Sequence, residues 1–142
     1  MTAAASGDED RLARIALARV VEPGSRAVAR ALESMPASEV WADLRRGVAP
    51  DRLGQQALAG IVSRTQGYDP RHDLDRLDSV GGRAVVPGDE EWPERLTWSI
   101  DAMSSGDVKE MAPPWALFVR GSRSLSEVVE RSAAVVGARA AT

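Results

Sequence analysis

The stretch Ser132–Thr142, SAAVVGARAAT, decides the fold class of this chain. Its short apolar segment, Ala133–Val136, predicts a buried β-strand, and a glycine follows that strand at once. In parallel α/β sheets ligands bind at the carboxyl ends of strands, where a glycine lets backbone N–H groups approach an anion. Arg139 adds a guanidinium that matches phosphate oxygens. The candidate phosphate-binding residues are therefore Gly137, Ala138, Arg139 and Thr142.

Taken alone, this turn is a weak signal. It contains a single glycine, so it matches neither G-x-G-x-x-G nor a P-loop. An ordinary glycine turn beside a solvated arginine explains the same spacing. The neighbouring sequence has to decide between the two interpretations.

The half of the chain before this turn alternates between helix and strand, as α/β layers do. Asp69-Pro70 predicts a capped helix start, and Gly81-Gly82 predicts the end of that helix. Strands are predicted at Arg83–Val86 and Trp115–Val119, and a helical turn at Leu125–Arg131. The polar segment Ser99–Ala112 predicts a loop.

The first 65 residues predict four short helices instead. The predicted starts are a capping box at Ser6–Glu9, then Ser25, Ser38 and Pro50. None of these helices is long enough to be stable alone, so they are expected to pack as a small bundle. With Thr65–Asp69 as a linker, we predict a helical domain at 1–65 and an α/β domain beginning at 66–142.

Composition excludes several classes of function. The chain has 142 residues, a net charge of −3, one histidine and no cysteine, so neither disulfides nor thiolate or multi-histidine metal sites are expected. No signal peptide and no apolar run of roughly 18–20 residues is present. We expect a cytoplasmic protein without a cofactor and without membrane contact.

Five segments in a fixed order resemble the DprA/Smf family of DNA-processing proteins. They are Leu17–Leu32, Asp73–Gly82, Val86–Leu96, Pro113–Gly121 and Ser132–Thr142. Within the third segment, Trp92-Pro93-Glu94-Arg95-Leu96 matches the aromatic-Pro-x-x-Leu element of the family. The ordered set is specific, although each segment alone is not.

The resemblance implies a fold and a function. The fold would be a helical domain of SAM-like or helix-hairpin-helix-like type, followed by a Rossmann-like domain. The function would be non-catalytic binding and protection of single-stranded DNA in natural transformation, with delivery to a RecA-type recombinase. Gly137 and Arg139 match the phosphate loop of the family, and Ala138 stands where the family usually has serine.

The sequence departs from the family in length. The rest of the family's sheet, its homodimer surface and its recombinase contacts follow the threonine that matches Thr142. We therefore interpret the chain as the incomplete beginning of the Rossmann-like domain and expect impaired strand binding. Two other functions stay open. One is a nucleotide-binding enzyme of a related Rossmann-like superfamily, and the other is a helical module that binds a protein partner.

Other candidate residues have simpler structural interpretations. Gly24 could offer N–H groups to DNA in a helix-hairpin-helix, but Glu22 would repel phosphate, which favours a plain helix pair. Asp89–Glu91 predicts an exposed acidic turn. Solvated or surface positions are predicted for Arg26, Arg30, Arg45, Arg46 and His72, core positions for Trp41 and Trp115, and packing rather than base stacking for Trp92 and Trp98.

Overall fold

The computed structural model describes residues 2–95 and 112–133. Within these ranges it contains six helices and a two-stranded antiparallel sheet. The helices are α1 (Thr2–Val20), α2 (Arg26–Ser34), α3 (Ala37–Arg45), α4 (Gln55–Thr65), α5 (Pro70–Ser79) and α6 (Leu125–Glu130), and the strands are β1 (Gly82–Val85) and β2 (Leu117–Arg120). This mixture of a helical first half with strand and helix after it is compatible with the predicted fold class.

Three of the four predicted helix starts are wrong. The first helix runs from Thr2, so Ser6–Glu9 lie inside it, because the alanine-rich segment before them is itself strongly helix-forming. Helix α3 begins after Pro36 rather than at Ser38; the Ser38 N–H donates to Asp10 Oδ1 of α1 (3.2 Å), so another helix supplies this cap. Helix α4 begins at Gln55, not Pro50, because Arg52 has a φ of 65° and cannot continue a right-handed helix.

The predicted start of α5 is confirmed. Asp69 is the N-cap, its carboxylate accepts a hydrogen bond from the Arg71 N–H (2.9 Å), and Pro70 occupies the first helical position. The helix stops at Ser79, and Gly81, with a φ of 66°, turns the chain into β1. This tight connection places α5 directly against the sheet, where Leu77 packs over Gly82.

The strands pair antiparallel, with Gly82 opposite Arg120 and Val85 opposite Leu117. The Rossmann-like character of the sheet stays a prediction, since residues 2–95 and 112–133 contain this one strand pair. Strand direction depends on the path of the chain between the strands, which periodicity does not encode. Both strands also differ by one or two residues from the predicted bounds.

Two hydrophobic clusters share α1. The first contains residues of α1 to α4 together with Trp115, which comes from the second half of the chain. The second joins Ile15 of α1 to Ala84, Val86 and Ala116 around the sheet, with Leu74 and Leu77 packed against them. The domain boundary at residue 65 stays a prediction, but side chains from both sides of it contribute to each cluster.

Candidate functional site

The predicted phosphate-binding residues Gly137, Ala138, Arg139 and Thr142 lie outside the described residues. The same is true of the predicted strand after Ala133, and of Trp98 and most of the Ser99–Ala112 loop. The structure describes the chain that leads to the turn: β2, the turn after it, and α6. The site itself stays a prediction.

The ion pair of Arg83 and Glu91 fixes the start of α6. Ser124 is the N-cap, but its side chain makes no capping hydrogen bond. Instead the Leu125 N–H donates to Glu91 Oε2 (3.1 Å), so a carboxylate from a distant turn occupies the capping position. A negative charge is favourable at a helix N-terminus because the first N–H groups have no partner in the helix. We call the Arg83–Glu91 pair the buttress of α6.

Arg83 holds that carboxylate from β1. Its Nε donates to Glu91 Oε1 (2.9 Å) and its Nη2 donates to Glu91 Oε2, which makes a bidentate ion pair. The same guanidinium donates to the carbonyl oxygens of Gly121 (2.5 Å) and Arg123 (2.8 Å). The hydrogen bond from Arg83, followed by that from the Leu125 N–H, lowers the pKa of Glu91, and the bond to Glu91 raises the pKa of Arg83. The buttress therefore connects β1, the turn after β2 and the first turn of α6.

A second carboxylate in the same turn is also engaged. Arg11 Nη1 donates to both oxygens of Asp89 (2.6 and 2.7 Å), and its Nη2 donates to the Ala84 carbonyl (2.5 Å). Asp89 Oδ2 also accepts the Val86 N–H (2.9 Å). The prediction of an exposed acidic turn is therefore wrong for Asp89 and Glu91, which are half-buried, and holds only for Glu90. The arginine partner of Asp89 lies 78 positions away in the sequence, too far for local spacing to reveal.

The tryptophans favour packing over base stacking. Trp92 is only 4% exposed and Trp115 only 7%, so neither offers a ring face to a ligand. Trp41 is half-buried beside the helical core and has the Arg45 guanidinium 5.6 Å from its ring centroid. The predicted packing of Trp92 and the predicted core position of Trp115 are therefore confirmed.

The polar candidates of the helical half have structural roles or lie in solvent. His72, Arg30, Arg45 and Arg46 are exposed, as predicted, whereas Arg26 is half-buried and has a partner. Gly24 adopts a φ of 79° in the turn between α1 and α2, and Glu22 lies 3.7 Å from Arg64. This geometry agrees with a plain helix pair.

Two of the clefts on the described part of the surface are lined by half-buried or exposed aromatic side chains. One, of about 420 Å³, lies between α1, α3 and the start of α5, and both acidic (Glu9, Asp69) and basic (Arg45, Arg71) residues line it. The other, of about 320 Å³, lies beside β2 and is lined by Phe118 and residues of α1 and α5. Sequence reasoning missed Phe118, because the segment Trp115–Val119 is apolar throughout and does not show that this one ring is 43% exposed.

The two half-buried carboxylates of the acidic turn are not placed for acid–base chemistry. Asp89 and Glu91 already accept hydrogen bonds from arginines and backbone N–H groups, so neither is available to take a proton from a substrate. Among residues 2–95 and 112–133, no group of three or more His, Asp or Glu side chains could hold a metal ion. In these same ranges no helix combines the length and the apolar character needed to cross a membrane.

Two curated proteins from two strains of Mycobacterium tuberculosis are similar to the chain. Each is named "Putative DNA processing protein DprA" and is 35% identical over 130 residues, which cover 89% of this chain and 31% of the relative. No family model matches the chain, and no solved structure matches it significantly.

Over most of its length the chain is therefore similar to proteins that are named as putative DNA processing proteins. The similarity supports a relationship to the DprA family, which the ordered segments of the sequence predicted. The chain spans about a third (31%) of the length of the relatives it matches.

Proposed function

We propose that the chain takes part in DNA processing as a non-catalytic binder of single-stranded DNA. In this proposal it protects incoming strands during natural transformation in the cytoplasm and hands them to a RecA-type recombinase. The observation that carries the proposal is the 35% identity over 89% of the chain to DprA proteins. Residues 1–65 would form the helical domain and 66–142 the beginning of a Rossmann-like domain.

The single-stranded DNA would bind at the turn that follows the last predicted β-strand. Backbone N–H groups at Gly137 and Ala138 would face a phosphate, because no side chain at the glycine blocks the approach. Arg139 would add a bidentate guanidinium, and Thr142 a hydroxyl donor. The buttress of α6 supports this proposal, since it fixes the helix that precedes the turn through five hydrogen bonds from Arg83 and Leu125.

The experiment is an Arg139→Ala substitution in this chain extended by the remaining part of a DprA relative. Titration with fluorescent oligo-dT at several salt concentrations gives the affinity and its salt dependence. We expect single-stranded DNA of every sequence to bind more weakly, and by a similar factor. The slope of log affinity against log salt concentration should become smaller in magnitude by about 0.7, the value for one phosphate contact on a single strand. Arg30→Ala, also at an exposed arginine, is the matched control and should leave both unchanged. An unchanged affinity of Arg139→Ala would remove this residue from the proposed site.

A further inference from the structure

The exposed face of β2 carries an aromatic ring that the fold leaves uncovered. Phe118 lies opposite Ala84 in the sheet, yet it is 43% exposed while Ala84 is buried. Leu77 of α5 and Val80, which directly follows this helix, line the same cleft of about 320 Å³, and Val80 is 51% exposed. We call Leu77, Val80 and Phe118 the β2 platform. It is a small apolar surface with one ring face open to solvent.

The charge around the β2 platform is positive. Asp73, the carboxylate that lines this cleft, is already paired with Arg19 (3.2 Å) and accepts a hydrogen bond from the Tyr68 hydroxyl (2.8 Å). Arg76 lines the cleft too, and its guanidinium has neither an ion pair nor a hydrogen bond within the described ranges. The two other carboxylates of α5, Asp75 and Asp78, do not line the cleft.

A second guanidinium lies beside the ring along the strand. Arg120 is two residues after Phe118, so its side chain projects from the same face of the sheet, and it is exposed. Its guanidinium, like that of Arg76, has no ion pair or hydrogen bond within the described ranges. An exposed aromatic ring on the same part of the surface as two guanidinium groups that lack partners in the described ranges has the chemistry of a single-strand binder, in which bases stack on rings and arginines contact the backbone.

We propose that the β2 platform is a second contact for single-stranded nucleic acid, with one base stacked on Phe118 and the adjacent phosphates on Arg76 and Arg120. This inference rests on the proposed function and adds a site to the Gly137–Thr142 turn. A second copy of the chain is a less suitable occupant. In a two-fold contact through this face, Arg76 and Arg120 would meet the same charges of the partner, which is repulsive.

The test is fluorescence anisotropy of labelled oligo-dT with the 142-residue chain at low salt. Phe118→Leu keeps an apolar side chain but removes the ring, and it should weaken binding about 5- to 140-fold, the range of one base–aromatic stack. Phe118→Trp restores a ring and should bind at least as tightly as the wild type. Val48→Ala, at another exposed apolar position, is the matched control and should bind as the wild type does.

The arginines are tested by the salt dependence of the same titration. Arg76→Gln and Arg120→Gln should each reduce the magnitude of the slope of log affinity against log salt concentration by about 0.7. Arg30→Gln is the control and should leave this slope unchanged. Circular dichroism checks that every variant is folded.

Three results would overturn the inference. Equal affinity of Phe118→Leu and the wild type, while Arg139→Ala weakens binding, rejects the β2 platform and leaves the proposed function standing. A change of sedimentation behaviour in Phe118→Leu without a change in strand affinity assigns the surface to a second copy. Absence of oligo-dT binding by the wild type at any salt concentration rejects both the platform and strand binding by this chain.

Discussion

Arg83 and Glu91 form a bidentate ion pair whose carboxylate also accepts the Leu125 N–H at the start of α6. The two residues are eight positions apart, on β1 and on the turn that follows it. Because Arg83 also binds two carbonyl oxygens after β2, one guanidinium ties three segments together. These hydrogen bonds fix the segment that leads to the predicted phosphate-binding turn. Loss of the Arg83 side chain should therefore affect both the stability of the protein and the position of α6.

The buttress predicts a defined dependence of stability on pH. The pKa of Glu91 lies below its ordinary value of 4.5, chiefly because of the hydrogen bond from Arg83. A depressed pKa means that the ionised form favours folding, so its contribution is present above about 4.5 and is lost as the pH falls through the lower folded pKa. Glu91→Gln should lower Tm at neutral pH and reduce the loss of Tm on acidification. Thermal unfolding of the wild type and of Glu91→Gln across this pH window gives the two Tm values. An equal loss of Tm in the two proteins on acidification would contradict the prediction.

The Arg11–Asp89 pair should also contribute to stability. Arg11 bridges Asp89 and the Ala84 carbonyl, whereas the comparable pair of Arg46 and Asp43 lies on the surface of α3. Since Arg11 and Asp89 are about a third exposed, we expect Arg11→Met to cost about 1–2 kcal/mol and Arg46→Met less than about 0.5 kcal/mol. Urea denaturation of the two variants makes the comparison. Equal costs would show that the Arg11 pair is screened by solvent.

Gly82 is required where α5 approaches the sheet. A Cβ at this position would lie 3.1 Å from the Leu77 carbonyl oxygen and 3.2 Å from the Val119 carbonyl oxygen, so the backbone itself would have to move. Gly82→Ala should destabilise the protein by about 1–3 kcal/mol through overpacking. Gly7→Ala is the control, because a Cβ there meets nothing within 4 Å and alanine is the better helix former. The free energies of unfolding should therefore change in opposite directions.

Trp115 should couple the two halves of the chain. Although it follows the predicted boundary by 50 positions, it is buried in the cluster formed by α1 to α4. Trp115→Ala should cost about 3–5 kcal/mol, as truncation of a buried aromatic does. Wild type should unfold in a single transition followed by circular dichroism and by tryptophan fluorescence. Two separate transitions would instead show that the helical domain folds independently.

Local sequence signals were sufficient for several elements. Asp69-Pro70 specifies the start of α5 because the cap and the proline act on adjacent backbone groups. The short helix at Leu125 and the turn at Gly81 likewise follow from residues next to one another. The family was also accessible, because an ordered set of short segments is more specific than any one of them.

The same signals were insufficient wherever a distant residue supplies the partner. Asp10 rather than Ser38 caps the first turn of α3, and Arg11 and Arg83 turn an apparently exposed acidic run into two structural ion pairs. The antiparallel pairing of β1 and β2 and the open face of Phe118 belong to this group as well. What the sequence by itself determined was the set of helix and strand segments and the relationship to DprA, since both depend on neighbouring residues. Only the tertiary structure decided which carboxylates form ion pairs, which way the strands run and which aromatic ring is exposed to solvent. The reason is that burial and electrostatic pairing depend on distances in space.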